Sequence, residues 1–461
     1  MRKQSILLLI LPFIIGYALV LSCTSRKNLQ GNGVINPTSF QIAEKIPVEP
    51  VWAGTRVGFF LLTRDNHQFI AYYDANKQMT IAQRALDSKE WIFKKLDSYI
   101  GWDSHNYIRM ALDKEGYLHV SGNMHAVPLV YFRASKPYDV TTLEKIPSMI
   151  GNDESRVTYP QFLKNKDDEL IFTYRDGSSG DGNNLYNIYD TGTKKWRRLL
   201  EQPFTDGEGL MNAYNVGPVE GPDGWFHMSW IWRDTPAAET NHDLSYAKSP
   251  DMVNWFTADG TPISLPIKIS TPGVIVDPVP IKCGMINGNG RIGFDSKNRA
   301  VLSYHKFENC PDPDSPTQFY NARFEDGKWK IYQTTDWNHR WWFEGDGSLT
   351  GGGVSIGAVE YSGGALRQTY SYPGQGSAIF VLSEETLRPI NTLSITPWPP
   401  EVRALRSKFP NMRVSITRDA VGIINGEQYI MRHETLPPNR DQPYPEPWPG
   451  AGMLEVYKLK S

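Results

Sequence analysis

The sequence predicts an all-β protein, a seven-bladed β-propeller of four-stranded antiparallel blades, and three observations carry that expectation. A turn-and-strand unit recurs, an acidic or glycine turn followed by β-formers, at Asp113-Lys114-Glu115-Gly116-Tyr117-Leu118-His119-Val120, Lys166-Asp167-Asp168-Glu169-Leu170-Ile171-Phe172, Gly221-Pro222-Asp223-Gly224-Trp225-Phe226-His227 and Asp295-Ser296-Lys297-Asn298-Arg299-Ala300-Val301-Leu302. A tryptophan-centred strand recurs as well, at Glu90-Trp91, Lys195-Trp196, Asn254-Trp255 and Lys328-Trp329. Helical periodicity is missing, with only 384–387 and 401–408 able to make a short turn. The turns begin more than ~50 residues apart, which leaves room for four short strands and their loops, and the chain beyond its leader holds about seven such periods. No linker interrupts it, which disfavours a pair of β-sandwich domains.

In chain order, Arg2 and Lys3 precede an apolar run from Ile6 to Leu21 that ends at Ser22-Cys23. The run is too short and too promptly ended for a comfortable membrane span, and it reads as an export signal. A small residue before a cysteine resembles a bacterial lipobox, so 1–22 is assigned as a lipoprotein signal peptide and Cys23 as the lipidated residue. An ordinary signal peptide with an incidental cysteine is the alternative. Both export the chain, the lipidated form to the periplasm, outer membrane or cell surface. Residues 23–46, rich in Gly and Asn up to Thr38, read as a polar tether, and 47–461 as one catalytic propeller domain. Cys283 and Cys310 remain, and in an oxidising compartment they either pair or stay as buried thiols.

Composition narrows the function classes. The chain is 21% charged and 40% hydrophobic with a formal net charge of −2, so no cationic stripe is available to neutralise a run of phosphates, and nucleic acid is excluded as a partner. Any anionic substrate must be met by local charge. The 14 Trp and 23 Tyr are many for this length; they either fill a β core or hold sugar rings on exposed platforms. A monomer is expected, touching the membrane through its N-terminal lipid.

Four polar signatures fall between Trp102 and Gly177: Trp102-Asp103-Ser104-His105-Asn106, Gly122-Asn123-Met124-His125, Thr158-Tyr159-Pro160 and Tyr174-Arg175-Asp176-Gly177. His105 and His125 lie on either side of one expected hairpin, and Tyr159 and Arg175 on either side of the next. Loops of consecutive blades converge near a propeller axis, so the four side chains can share one mouth. Singly, each has a bland reading as a packing histidine, a turn tyrosine or a salt-bridged arginine. Together they are the groups needed to remove a proton from a carbon beside a carboxylate.

These segments, with Trp232-Arg233-Asp234-Thr235, Thr240-Asn241-His242-Asp243-Leu244-Ser245-Tyr246, Thr335-Asp336-Trp337 and Glu434-Thr435-Leu436-Pro437, resemble the BNR-repeat-containing seven-bladed propellers, a group that includes ulvan lyases and enzymes acting on L-rhamnose-α-1,4-D-glucuronate. The resemblance implies a glycan substrate containing rhamnose and a uronate, and a lyase that eliminates across C4 and C5 of the uronate. It carries over His105, His125, Tyr159 and Arg175 as catalytic residues. Asn106, Asn123, Arg233, Asn241, His242 and Tyr246 are expected as substrate contacts. In that chemistry a guanidinium pairs with the carboxylate and stabilises the enolate-like intermediate, the role expected of Arg175. His105 is assigned as base, Tyr159 as acid and His125 as an orienting group; the swap, with Tyr159 as base beside Arg175, stands as an alternative.

Two rival functions are carried forward. Similar propellers are described as α-L-rhamnosidases using a histidine on the opposite face, and His67 in Asn66-His67-Gln68-Phe69 falls in that region, although no flanking carboxylate pair is evident. A non-catalytic glycan-binding propeller is the other. The elimination requires no cofactor, and any ion, calcium or zinc, would be structural. The 176–184 segment offers oxygen ligands for calcium but reads better as a flexible glycine-rich loop, and the spacing of His242, His305, Cys283 and Cys310 matches no short zinc motif.

Overall fold

The computed structural model describes residues 39–349 and 353–460. The expected signal peptide, Cys23 and the tether up to Thr38 lie outside the described residues. Among the described residues the chain is almost entirely β, with one α-helical turn at Pro400–Arg403, and no helix is long and apolar enough to cross a membrane. The strands form seven antiparallel sheets.

Six sheets are built from strands that follow one another in sequence, save that His125–Val127 leaves the second for the third. The first comprises Phe60–Arg64, His67–Tyr73, Gln78–Ala85 and Ile92–Tyr99, and the second Ile108–Leu112, Leu118–Gly122, Tyr131–Ala134 and Leu143–Lys145. The third begins with Val157–Lys164, Leu170–Ser178 and Asp181–Asp190, and the fourth with Asn212–Glu220, Phe226–Arg233 and Asn241–Ser249. The fifth spans Arg291–Phe294 to Lys328–Gln333 and the sixth Ser355–Ser362 to Pro389–Leu393. Five of the seven sheets have four strands, as expected. The third has five because His125–Val127 adds beside Val157–Lys164, and the fourth has six because Pro262–Ile263 and Ile275–Asp277 extend it.

The seventh sheet joins the two ends of the described chain: Gln41–Val51 pairs with Gly452–Lys460, which continues to Glu427–Thr435 and Arg413–Arg418. Residues 41–46, read as tether from sequence, are therefore strand. Pro47 and Pro50 mask the β pattern, since proline cannot donate to a ladder, and the structure accommodates them with a register shift on an edge strand.

Both recurring sequence signals have structural meaning. Each recurring turn joins the first two strands of a sheet, and its Asp or Asn carboxyl or amide oxygen caps the turn. Asp113 Oδ1 accepts from the Glu115 and Tyr117 amides, Asn165 Oδ1 from Asp167 and Glu169, and Asp295 Oδ1 from Lys297 and Arg299. Each recurring tryptophan opens or adjoins an outer strand and turns inward. Trp196 donates to Tyr131 Oη at 3.1 Å and packs against Phe162, Phe172 and Tyr189, and Trp255 is buried against Phe204. These rings fill the wedge between neighbouring sheets, which accounts for much of the aromatic content.

Cys283 and Cys310 form a disulfide with Cα atoms 5.5 Å apart, which resolves the alternative the sequence left open. Their separation of 27 residues sets the loop that the bond closes in the unfolded chain. Replacing both by serine is expected to lower unfolding free energy by about 3–4 kcal/mol in a denaturant titration, with the m-value raised as the unfolded chain expands.

Candidate active site

The polar signatures gather at one end of the sheets. In the second, third and fourth sheets the first strand starts and the second strand finishes at this end, where Ile108 pairs with Gly122, Thr158 with Arg175 and Asn212 with Arg233. The turns at 113–116, 165–168 and 221–224 consequently lie at the far end. His105, His125, Tyr159 and Arg175 do come together. The two imidazole centroids are 4.4 Å apart, and they lie 5.8 and 5.9 Å from the Tyr159 ring. The Arg175 guanidinium sits 4.9 Å from the Tyr159 centroid and 5.1 Å from that of Tyr214.

One carboxylate orients both histidines. Asp103 accepts from His105 Nδ1 at 2.7 Å through one oxygen and from His125 Nδ1 at 2.6 Å through the other. That leaves each Nε2 as the nitrogen free to face a substrate. Asp441, from the loop after Glu427–Thr435, places Oδ2 3.4 Å from His105 Nδ1 and accepts from Ser104 N and Oγ and from Ser348 N. Burial pushes His105 down, but hydrogen bonds to Asp103 and Asp441 more than offset it and raise the imidazole to about 9. Burial acts to raise Asp103, yet the two imidazoles hold it well below the carboxylate range. That raised value favours the protonated form of His105 near neutral pH, a state suited to donating a proton.

Tyr159 is aimed by a strained bulge. The ladder shifts register between Thr158 and Gln161, and Tyr159 has a φ of 54°, an unusual value for an aromatic residue before proline. Such a conformation costs about 1–3 kcal/mol and persists where surrounding structure imposes it. Tyr159 and Tyr214 then face Arg175 as a coupled pair of phenols. Burial and the neighbouring Tyr214 push Tyr159 well up. Burial also opposes ionisation of Tyr214, but the Arg175 and Arg233 guanidiniums outweigh it and bring that phenol below its usual value. Arg233 Nη1 donates to Tyr214 Oη at 3.1 Å, and Ser179 Oγ lies 2.7 Å from the same oxygen.

Arg175 itself is 2% exposed, and none of its three side-chain nitrogens has a well-formed hydrogen bond or a carboxylate partner among the described residues. Two cation–π contacts contribute about 0.5–2 kcal/mol each, less than the several kcal/mol that burying a guanidinium costs. The deficit is what a bound anion would supply.

Other expected contacts divide. Arg233 belongs to the cluster through Tyr214. Asn106 lies beside His105 with a buried, unpartnered Oδ1. Asn241 spends its amide on the Ala238 carbonyl and leaves Oδ1 unpartnered. Asn123 is diverted: its amide donates to Ser98 Oγ and the Tyr99 carbonyl, locking a left-handed turn at φ 60°. His242 has both nitrogens on carboxylates, Asp243 at 2.9 Å and Asp234 at 2.9 Å, so neither is free for a sugar hydroxyl. Tyr246 is not in this cluster. Its hydroxyl bonds His227 Nδ1 at the opposite end of Phe226–Arg233, roughly 20 Å from Arg233, and its ring packs on Trp329.

His67 also sits at the far end, opening the strand whose other terminus, Tyr73, donates to the Asn106 carbonyl at 2.7 Å. It stacks on Tyr138 at 4.6 Å. The segment read as a flexible loop at 176–184 is instead a tight hairpin, with Ser178 paired to Asp181 across Ser179-Gly180. Asp181 is bound to Arg156 at 2.7 Å, so no calcium ligand set forms there. The disulfide removes both cysteines from any zinc set with His242 and His305, and His305 is buried against Trp341 with its imidazole pushed down to about 3. Among the described residues, Asp103, His105 and His125 are the group whose ligand atoms converge closely enough to hold a metal ion.

Sequence reading missed three residues. Asp103 stands inside the quoted motif, two positions before His105. Tyr214 occupies in the fourth sheet the place of Tyr159 in the third, near the start of a bulged first strand, and that repeat was its available signal. Asp441 had none.

Because its folded-state value is raised, His105 contributes stability that is fully present below its ordinary 6.5 and is lost as pH rises through about 9. Replacing Asp103 by Asn is expected to lower the His105 titration midpoint seen by NMR and to narrow that stability window, Asp441 being left as its remaining carboxylate. An unchanged midpoint would mean that Asp103 does not govern it.

The sequence model of a BNR repeat-containing family member matches residues 67–337. Over 138 residues the chain is 29% identical to the short isoform of ulvan lyase from Alteromonas sp. (strain LOR), a stretch covering 27% of this chain and 26% of that protein. The chain thus matches about a quarter of that curated relative's length. The crystal structure of polysaccharide lyase Uly1 superposes with a TM-score of 0.60 at 13% identity, covering 91% of this chain and 99% of that one. A PL25 ulvan lyase, also solved bound to -[GlcA(1-4)Rha3S]-, superposes with a TM-score of 0.57 at 12% identity, covering 89% and 95%. At such identities the likeness is one of fold. With well over half of its length inside the family match, the chain belongs to the BNR repeat-containing family.

Proposed function

We propose that this protein is an exported carbohydrate-active lyase that cleaves L-rhamnose-α-1,4-D-glucuronate-type linkages by β-elimination, and that its seven sheets are the blades of one propeller. The observation that carries the reading is the buried Arg175 guanidinium, which lacks a carboxylate and lies against two phenols, one of them in ring contact with both imidazoles. A uronate carboxylate is the anion it fits, taken as a bidentate pair. The ulvan lyase named above is bound to a glucuronate–rhamnose glycan, which agrees with this substrate class.

The Tyr159–Tyr214 pair, having given one proton to solvent, takes the C5 proton as a phenolate. Its ionisation belongs to both phenols, and a uronate on Arg175 neutralises the charge that stabilises the phenolate, making it more basic in the loaded site. His105, held through Nδ1 and charged, protonates O4 from Nε2 as the C4–O4 bond breaks and the C4–C5 double bond forms. Arg175 holds the enolate-like charge throughout. Export, with lipid on Cys23, is part of the proposal; the Arg2-Lys3 leader supports it, and so does a disulfide that needs an oxidising compartment.

Incubation with ulvan and with rhamnose-capped glucuronate oligosaccharides is expected to generate the ultraviolet absorbance of an unsaturated uronate. Free rhamnose without that absorbance would assign a hydrolase, and neither product would leave a glycan-binding propeller. Tyr159→Phe and Arg175→Ala are each expected to lower kcat/KM at least ~10²-fold with the fold retained. Activity should fall as pH rises through about 9, where His105 loses its proton.

A further inference from the structure

The Asp103 cluster has a second use that is argued without the lyase reading and that would compete with the proton-donor role of His105. Asp103 faces Nδ1 of both His105 and His125, and Asp441 brings a second carboxylate to His105 from a loop remote in sequence. The ligand atoms of Asp103, His105 and His125 all lie within 4.8 Å of one another. Among the described residues neither carboxylate is paired with a lysine or arginine. The more deeply buried Asp277, Asp295 and Glu455 each hold such a cation. Among the described residues Asp103 and Asp441 thus face imidazoles and no fixed cation.

His242 provides the contrast. It too has two carboxylates, but Asp243 binds Nδ1 and Asp234 binds Nε2, so the acids lie on opposite sides of the ring and cannot share an ion. At Asp103 the donors converge.

We propose that Asp103, His105, His125 and Asp441 bind a divalent transition-metal ion of the zinc class. Two imidazole nitrogens with two carboxylate oxygens form a borderline donor set that favours zinc or cobalt over calcium and magnesium, which require a larger shell of oxygens. The exchange is a ligand substitution: the ion takes the place of the proton on His105 Nδ1, the proton goes to solvent, and nothing is oxidised or reduced.

The test is a titration of chelator-treated full chain with Co²⁺, without substrate. One equivalent should bind with the intense visible absorption of a four- or five-coordinate site, and Zn²⁺ should bleach it. His125→Ala and Asp441→Asn should each weaken Co²⁺ binding at least ~10-fold, with folding checked by circular dichroism, while His242→Ala leaves it unchanged. Absence of the visible bands in the wild-type protein overturns the site, as does binding that both folded variants retain. Since no turnover is read, failure here would leave the lyase reading standing, and loss of lyase activity in other assays would leave the metal site standing.

Discussion

A buried guanidinium without a carboxylate is the constraint on which the candidate site turns. Arg175 comes from the end of a central strand, its backbone fixed by the ladder to Thr158 and Asn184 and its side chain buried. Its surroundings are phenols from two neighbouring sheets, which lessen the cost of burial without cancelling it. The same charge brings Tyr214 toward ionisation while burial keeps Tyr159 protonated. One residue thereby creates an anion site and prepares the groups around it.

The imidazoles are governed from the opposite direction. Asp103 uses both oxygens to turn two rings the same way, and Asp441 adds a second acid from the far end of the sequence. That contact ties the loop after Glu427–Thr435 to Ser104 and Ser348. The sheet that carries this loop is closed by Gln41–Val51 against Gly452–Lys460, so pairing of the two ends of the described chain supports the position of a residue at the site.

Much of this was legible in the sequence because the relevant signals are local. The acidic turns and the inward tryptophans each act within a few residues, and both recur where the sheets recur. Spacing around a hairpin placed His105 opposite His125 and Tyr159 opposite Arg175, since two residues that flank a hairpin must return to the same end of a sheet. What was hidden depended on contacts between distant segments. Asp441 meets His105 only through the folded loop, and Asn123 spends its amide on Ser98 and Tyr99. Tyr246 shares a polar motif with Asn241 and His242, yet strand length carries it toward the other end of its sheet. The ionisation of His105 was likewise out of reach, because its second carboxylate lies outside any local window.

The central claim is that Arg175 receives the carboxylate of a uronate between Tyr159 and Tyr214. The most direct measurement is a crystal structure of the Tyr159→Phe variant soaked with a rhamnose–glucuronate oligosaccharide. The carboxylate is expected to be paired to the Arg175 guanidinium, with C5 facing the phenols and O4 facing His105. A uronate bound at the His67 end of the sheets, or one in this mouth that leaves Arg175 without a partner, would contradict it.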